Sequence, residues 1–214
     1  MRKLIAEFIG TYLLALAVVG SGAMAMALTH DGALQLLINA LVTAAILILI
    51  ITLFSEISGA HFNPAVTLVM VLKREVSIIE ASSYIATQII AASTGVITAN
   101  YFFKNEVIGS VASAPPSTIA LFSELFATAG LLFLIVHLIN QNKVQFLPFG
   151  VALWIFGAYF FTPSTSVANP AMTIARTLTD SYAGISSSAL LPYVAAQIIG
   201  GLLGATLAKG LKTK

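Results

Sequence analysis

Two Asn-Pro-Ala triplets have the residue types and spacing that predict the clearest chemistry in this sequence. They are Asn63-Pro64-Ala65 and Asn169-Pro170-Ala171, and each lies in a mostly apolar region. Proline fits the first position of a helix and a preceding asparagine is a favoured N-cap, so each triplet predicts the start of a short helix. A helix N-terminus carries about half a positive charge. Such a site repels cations, while the asparagine amide donates to the oxygen of a neutral solute.

The composition indicates that both triplets belong to a membrane protein. Of 214 residues, 58% are hydrophobic and 8% are charged, and the mean hydropathy is +0.98. A soluble domain has about 25% charged residues, so a soluble globule is excluded. A helix that spans a bilayer needs about 20 mostly apolar residues. Six charge-free stretches meet this need: 8–30, 32–55, 81–103, 125–142, 144–175 and 181–208.

Several other functional classes are excluded by the same composition. The net charge is +2 and no basic run exceeds two residues, so nucleic-acid binding has no electrostatic basis. The chain has no cysteine and only three scattered histidines, which predicts no metal and no cofactor. A nucleophile, a base and an orienting group do not come together on any predicted face, so we expect no enzyme.

The two halves of the sequence carry the same markers in the same order, which indicates an internal repeat. Each half holds three predicted spans, an odd number, so the second copy is inverted in the membrane relative to the first. The matched segments are Glu7 and Thr11 with Glu124 and Thr128, 63–67 with 169–173, and Tyr84 and Gln88 with Tyr193 and Gln197.

We therefore expect an all-α membrane protein with six transmembrane helices and two re-entrant half-helices in an inverted three-plus-three repeat. The first repeat covers 1–112 with a half-helix at about 64–72, and the second covers 113–214 with a half-helix at about 170–179. Irregular backbone at membrane depth must be buried in protein or line a cavity. The two half-helices are thus expected to meet at the membrane centre through their N-termini.

The distribution of Lys and Arg predicts the orientation in the membrane. If the N-terminus is cytoplasmic, eight of these residues lie inside and only Lys104 and Arg176 lie outside. This asymmetry follows the positive-inside rule. Both termini of a multi-pass protein of the cell membrane are then cytoplasmic.

These motifs resemble those of the aquaporin, or major intrinsic protein, family, and the resemblance covers essentially the whole chain. It implies one pore per protomer, a homotetramer, and the lipid bilayer and small neutral solutes as partners. The segments that carry it are Ala6-Glu7-Phe8-Ile9-Gly10-Thr11, Ser58-Gly59-Ala60-His61-Phe62-Asn63-Pro64-Ala65-Val66-Thr67 and Asn169-Pro170-Ala171.

Two carboxylates, Glu7 and Glu124, lie inside predicted spans, where an unpaired charge is costly. One interpretation is a proton relay, which would make the protein a secondary transporter. The resemblance favours the other, in which each carboxylate supports the backbone of a re-entrant loop.

The sequence departs from the family at the four positions of the pore constriction. Water-selective members carry an aromatic residue, a histidine, a small residue and an arginine there. This chain has neither a ring nor a charge at these positions, so we expect a wide constriction for neutral solutes bulkier than water, with weaker proton exclusion. The first position, Thr43, lies twenty residues before Asn63. The other three are counted from Asn169: Gly157 lies twelve residues before it, Ser166 three before it and Met172 three after it.

Three further residues are candidates for the vestibules of the pore. Arg176 follows Met172 by one helical turn and is followed by Asp180 at a spacing suited to an ion pair. Its role is either to anchor the loop or to line the vestibule. Glu56 is either a solvated mouth residue or a partner of His61.

The stretch 166–184 resembles bacterial aquaglyceroporin-like channels associated with arsenic resistance, in which the constriction arginine is also replaced by an aliphatic residue. The resemblance implies a passive channel for water, glycerol or urea, and metalloid hydroxides such as arsenous acid. A secondary transporter that uses Glu7 and Glu124 is the alternative.

Overall fold

A computed structural model describes residues 1–104, 106, 108–109 and 115–211 of the chain. The expected boundary between the repeats, at 112–113, lies outside these residues. The regular structure that it describes is helical throughout. Its α-helices are α1 Arg2–Leu28, α2 Gly32–Ser58, α3 Pro64–Leu72, α4 Ile78–Phe102, α5 Thr118–Asn140, α6 Leu147–Phe161, α7 Pro170–Ala175 and α8 Leu190–Gly210.

Polar residues between the apolar stretches define where the long helices begin and end. The side chains of Asp31, Ser77 and Ser117 accept hydrogen bonds from backbone N–H groups in the first turns of α2, α4 and α5. Each side chain satisfies donors that have no partner within the helix. At the other end of α2, Gly59 adopts a left-handed conformation with φ of 84° and terminates the helix.

Five of the described helical segments are long and apolar enough to cross a membrane. They contain α1, α2, α5, α6 and α8. The remaining long helix, α4, has 25 residues. It is less apolar because hydroxyl and amide side chains interrupt its sequence, and several of them, such as Gln88 and Asn100, are fully buried against other helices. The six long helices correspond in order to the six expected spans.

The long helices pack as two similar groups that meet along α2 and α6. Helix α1 packs against α2 and α4, and α5 packs against α6 and α8. Glycines permit the closest of these approaches. A methyl group at Gly95 would overlap the backbone of α1 at Tyr12, and one at Gly204 would overlap the backbone of α5 at Ala129. The Gly200 and Gly204 pair therefore packs within the chain.

The short helices α3 and α7 lie between the two groups. Each contacts both α4 and α8, and the two contact each other. Helix α7 is shorter than expected, because a 3₁₀ turn at Arg176–Leu178 replaces its last residues. The chain leaves the α-helix there because Ile185 N–H donates to the Arg176 carbonyl at 3.0 Å and Gly109 N–H donates to the Leu178 carbonyl at 3.1 Å.

Candidate functional site

The two Asn-Pro-Ala asparagines lie at the facing ends of α3 and α7. Each side-chain oxygen caps its own half-helix. Each amide reaches the other half of the chain: Asn63 Nδ2 donates to the Ala168 carbonyl at 2.8 Å, and Asn169 Nδ2 donates to the Phe62 carbonyl at 2.9 Å. An amide nitrogen has two N–H groups, so each asparagine retains a second donor. Both residues line a common cavity.

The carboxylate of Glu7 is fully buried and accepts four hydrogen bonds. Two come from the backbone of the first re-entrant loop, from His61 N at 3.0 Å and Phe62 N at 2.8 Å. The other two come from Ser58 Oγ and Gln88 Nε2, both at 2.7 Å. This carboxylate therefore holds the loop that precedes α3.

Glu124 makes the equivalent contacts in the second half of the chain. Its carboxylate accepts from Val167 N and Ala168 N, both at 2.9 Å, and from Gln197 Nε2 at 2.7 Å. Neither Glu124 nor Glu7 is among the described residues that line the cavity. Both carboxylates are thus joined to the loops and separated from the open space.

The loops that the two carboxylates hold have unusual backbone conformations. Ala60 and Phe62 in the first loop, and Thr165, Ser166 and Ala168 in the second, have φ between 47° and 58°. A non-glycine residue in this region costs about 1–3 kcal/mol and persists only where its surroundings hold it. The hydrogen bonds to the buried carboxylates provide that restraint and fix the carbonyls that face the asparagines.

A cavity of about 670 Å³ contains both asparagines and extends along the protein interior. Lys3, Glu56 and Glu75 line its charged mouth at one end, and Arg176 lines it near the other. Between these ends its wall is mainly aliphatic, with Leu14, Leu47, Val66, Leu131, Val151 and Ile155 among the lining residues. A path with an apolar wall and a few polar groups at its centre suits small neutral molecules.

Three of the four positions matched to the family's constriction line this cavity: Thr43, Ser166 and Met172. All three side chains are buried. Ser166 Oγ has no hydrogen-bond partner among the described residues, although it is buried. A buried hydroxyl without a partner is costly. Ser166 therefore lies on the cavity wall with its hydroxyl oxygen enclosed by protein.

The fourth position, Gly157, differs from expectation because it is not among the described residues on the cavity wall. On α6 the cavity is lined by Leu147, Val151, Ile155 and Tyr159, which follow one another at intervals of four and so share a helix face. Gly157 lies two positions from Tyr159, about 200° around the helix. A methyl group at Gly157 would contact the ring of Phe161 instead.

Tyr159 is the lining residue that counting positions along the sequence did not find. Its hydroxyl lies 3.1 Å from Thr43 Oγ1, so it meets the constriction position contributed by α2. An aromatic ring therefore lies beside Thr43 on the cavity wall, although none of the four matched positions carries one. The sequence does place Tyr159 four residues after Ile155, on one face of α6. Predicting that this face lines the cavity requires the rotation of α6 about its axis, which the sequence does not give.

Arg176 is buried and lines the cavity. Its Nε donates to the carbonyl of Ala183, which ties the returning loop to the end of α7. The ion pair with Asp180 that the spacing favoured is not formed. The helix ends before Asp180, so the two side chains do not lie on successive turns of one helix face.

Glu56 and His61 lie on the cavity wall but do not pair with each other. Glu56 is exposed. His61 Nδ1 lies 3.1 Å from Thr67 Oγ1, and its ring packs edge-on against Tyr84 with 5.3 Å between centroids. Within the described ranges no hydrogen bond or ion pair joins the carboxylate to the imidazole. No group of three His, Asp or Glu side chains suited to a metal ion occurs there either.

Long apolar helices, two opposed half-helices and an internal cavity define a membrane channel. The chain belongs to the major intrinsic protein family: a family profile described as "Major intrinsic protein" matches residues 1–162. It is 38% identical over 210 residues to "Aquaglyceroporin AqpS" of Rhizobium meliloti (strain 1021), covering 98% of this chain and 90% of that protein.

Other similar proteins agree with this assignment. The "Glycerol uptake facilitator protein-like 6" of Lactiplantibacillus plantarum is 28% identical, with 98% of this chain and 97% of that protein covered. The X-ray structure of the aquaglyceroporin from Plasmodium falciparum has the same fold, with a TM-score of 0.75 at 20% identity and coverage of 97% and 95%. As a member of this family, the protein is a passive channel for small neutral solutes and is not an enzyme.

Proposed function

We propose that this channel conducts neutral hydroxylated solutes bulkier than water, with glycerol, urea and metalloid hydroxides such as arsenous acid as its substrates beside water. The observation that carries the proposal is the cavity that joins the two asparagines to the small side chains of Thr43 and Ser166. Met172 stands there in place of a fixed cation, and its flexible thioether side chain adapts to solutes of different shape.

A solute that enters the cavity loses hydrogen bonds to water, and groups on the cavity wall replace them. The free amide N–H groups of Asn63 and Asn169 donate to a solute oxygen at the centre. The aliphatic wall between these groups contacts the carbon face of a polyol. The positive ends of α3 and α7 disfavour cations at the asparagines.

The buried carboxylates have a positioning role in this proposal. Glu7 and Glu124 hold the loops whose carbonyls bind the asparagine amides. The transporter alternative requires the same carboxylates to exchange protons with the pathway. It is not favoured, because the described cavity wall contains neither of them.

We further propose that the protein is a homotetramer of the cell membrane, with the two repeats at 1–112 and 113–214 inverted and both termini in the cytoplasm. The charged mouth with Lys3 is then the inner end, and Arg176 belongs to the outer end. The large apolar side chains exposed on the outside of the helices, such as Leu53, Phe122 and Leu153, are available to lipid and neighbouring protomers.

Stopped-flow light scattering on proteoliposomes tests the substrate range. Vesicles are challenged in turn with inward gradients of sucrose, glycerol, urea and arsenous acid, and empty vesicles serve as the control. We expect reswelling above the empty-vesicle rate for at least one solute larger than water. Water flux alone, with every larger solute at the control rate, contradicts the proposal.

A further inference from the structure

The ring of Tyr159 faces the cavity beside Thr43 with a defined hydrogen-bond polarity. The tyrosine is 5% exposed and its hydroxyl lies 3.1 Å from Thr43 Oγ1. Thr43 Oγ1 donates its one hydrogen to the Asn39 carbonyl at 2.8 Å. The hydroxyl of Tyr159 must therefore be the donor to Thr43. This leaves the tyrosine oxygen with acceptor capacity toward the cavity.

Arg176 brings a fixed positive charge to the same part of the cavity. Its guanidinium has five N–H groups, and the one on Nε is bound to Ala183. No other hydrogen bond or ion pair to this side chain occurs within the described part of the chain. The terminal N–H groups are not closed off by protein, since none of them is an enclosed, unpartnered atom. Arg176 and the Tyr159 phenol are close enough to interact electrostatically.

We propose that Tyr159 and Arg176 form the selectivity constriction together with Thr43, Ser166 and Met172, and that they supply the ring and the charge that the four matched positions lack. This inference deepens the proposed function and rests on it. Tyr159 supplies the ring and lies two residues after Gly157 in the sequence. Arg176 supplies the charge and lies one helical turn after Met172.

The pair presents the two hydrogen-bond roles that a solute hydroxyl needs. Arg176 donates and Tyr159 accepts. A neutral polyol or metalloid hydroxide therefore exchanges both its donor and its acceptor bonds with water for bonds with the protein. A cation meets a fixed like charge at the same place. Met172 provides room, while Arg176 retains the barrier to cations and protons, so the weaker proton exclusion expected from the sequence does not follow.

Removing the charge of Arg176 tests the cation barrier, and a lysine variant that keeps the charge separates its effect from that of side-chain size. Proton and Na⁺ leak is measured in proteoliposomes under an imposed membrane potential for the wild type, Arg176→Gln, Arg176→Lys and Lys3→Gln. Lys3 is the matched control, because it also lines the cavity but at the other end. We expect Arg176→Gln to raise the leak about tenfold or more, while the other two stay within about twofold of the wild type.

Removing the ring tests the width. Glycerol and water fluxes are compared for Tyr159→Leu and for Tyr101→Leu, a control that removes an exposed ring from the outside of α4. We expect Tyr159→Leu to raise the ratio of glycerol flux to water flux about threefold or more, and Tyr101→Leu to leave it unchanged. Size-exclusion chromatography of each variant confirms that the protein compared is folded.

The outcomes separate this inference from the proposed function. A wild type that passes no solute larger than water refutes the proposed function itself. A conducting wild type whose leak is unchanged in Arg176→Gln, or equally raised in Arg176→Lys, refutes the role of the charge and leaves Arg176 as a loop anchor. If Arg176→Gln does not fold, the other two variants still test the inference. A raised cation leak in Arg176→Lys, or an unchanged ratio of glycerol flux to water flux in Tyr159→Leu, overturns the proposed constriction.

Discussion

Replacing Glu124 by glutamine isolates the hydrogen bonds that hold the second re-entrant loop. The native carboxylate accepts from two backbone N–H groups, at Val167 and Ala168, and from the amide of Gln197. A glutamine has one acceptor oxygen, and its NH₂ group must face at least one of these donors. The substitution therefore weakens charge-assisted bonds and leaves a buried donor unpaired.

The magnitude follows from these contacts. Weakening two charge-assisted hydrogen bonds costs about 1 kcal/mol each, and one unsatisfied buried donor costs a further 1–3 kcal/mol or so. We expect Glu124→Gln to lose about 3–5 kcal/mol of stability. Because Ser166 belongs to the same loop, we also expect solute flux per folded protein to fall about tenfold.

Thermal unfolding in detergent and stopped-flow glycerol flux are the two assays, with Glu56→Gln as the matched control. Glu56 is an exposed carboxylate at the cavity mouth, so its neutral variant should match the wild type in both assays. A Glu124→Gln protein with native stability and native flux would refute the loop-supporting role. Wild-type uptake that is driven by a pH gradient and abolished in this variant would favour the transporter instead.

Three further substitutions test other parts of the account. Asn169→Asp puts a negative charge between the half-helix ends, so cation leak should rise about tenfold in electrical recordings, and an unchanged leak would place this residue off the pathway. Met172→Arg fills the space beside Ser166, so glycerol flux should fall several-fold more than water flux, and equal reductions would argue against a constriction there. Gly204→Leu forces apart α5 and α8 and should lower the unfolding temperature by about 5 °C or more, whereas Gly32→Ala, which meets open space, should not.

The helices at the centre of the channel could be predicted from neighbouring residues in the sequence. An asparagine before a proline predicts a capped helix start from neighbouring residues alone, and α3 and α7 begin as expected at Pro64 and Pro170. The six long apolar stretches predicted the long helices for the same reason, since span length depends on composition.

Which residues line the cavity beside Thr43 depends on contacts between distant segments, and rules that use only neighbouring residues do not contain these contacts. Tyr159 rather than Gly157 reaches the cavity because packing against α2 sets the rotation of α6. Arg176 and Asp180 do not pair because the loop from Ile185 and the distant Gly109 bind the carbonyls that would continue the helix. The carboxylate contacts of Glu7 and Glu124 were expected from the resemblance, and their donors could not be identified from spacing.

Counterflow of labelled glycerol tests the central claim most directly, because it separates a channel from a carrier. Proteoliposomes are loaded with unlabelled glycerol or with buffer, and the initial uptake of labelled glycerol is measured over a wide concentration range. The account predicts uptake above empty vesicles that rises linearly with concentration and is not stimulated by glycerol inside. Saturating uptake with stimulation from the opposite side, or uptake equal to that of empty vesicles, would contradict it.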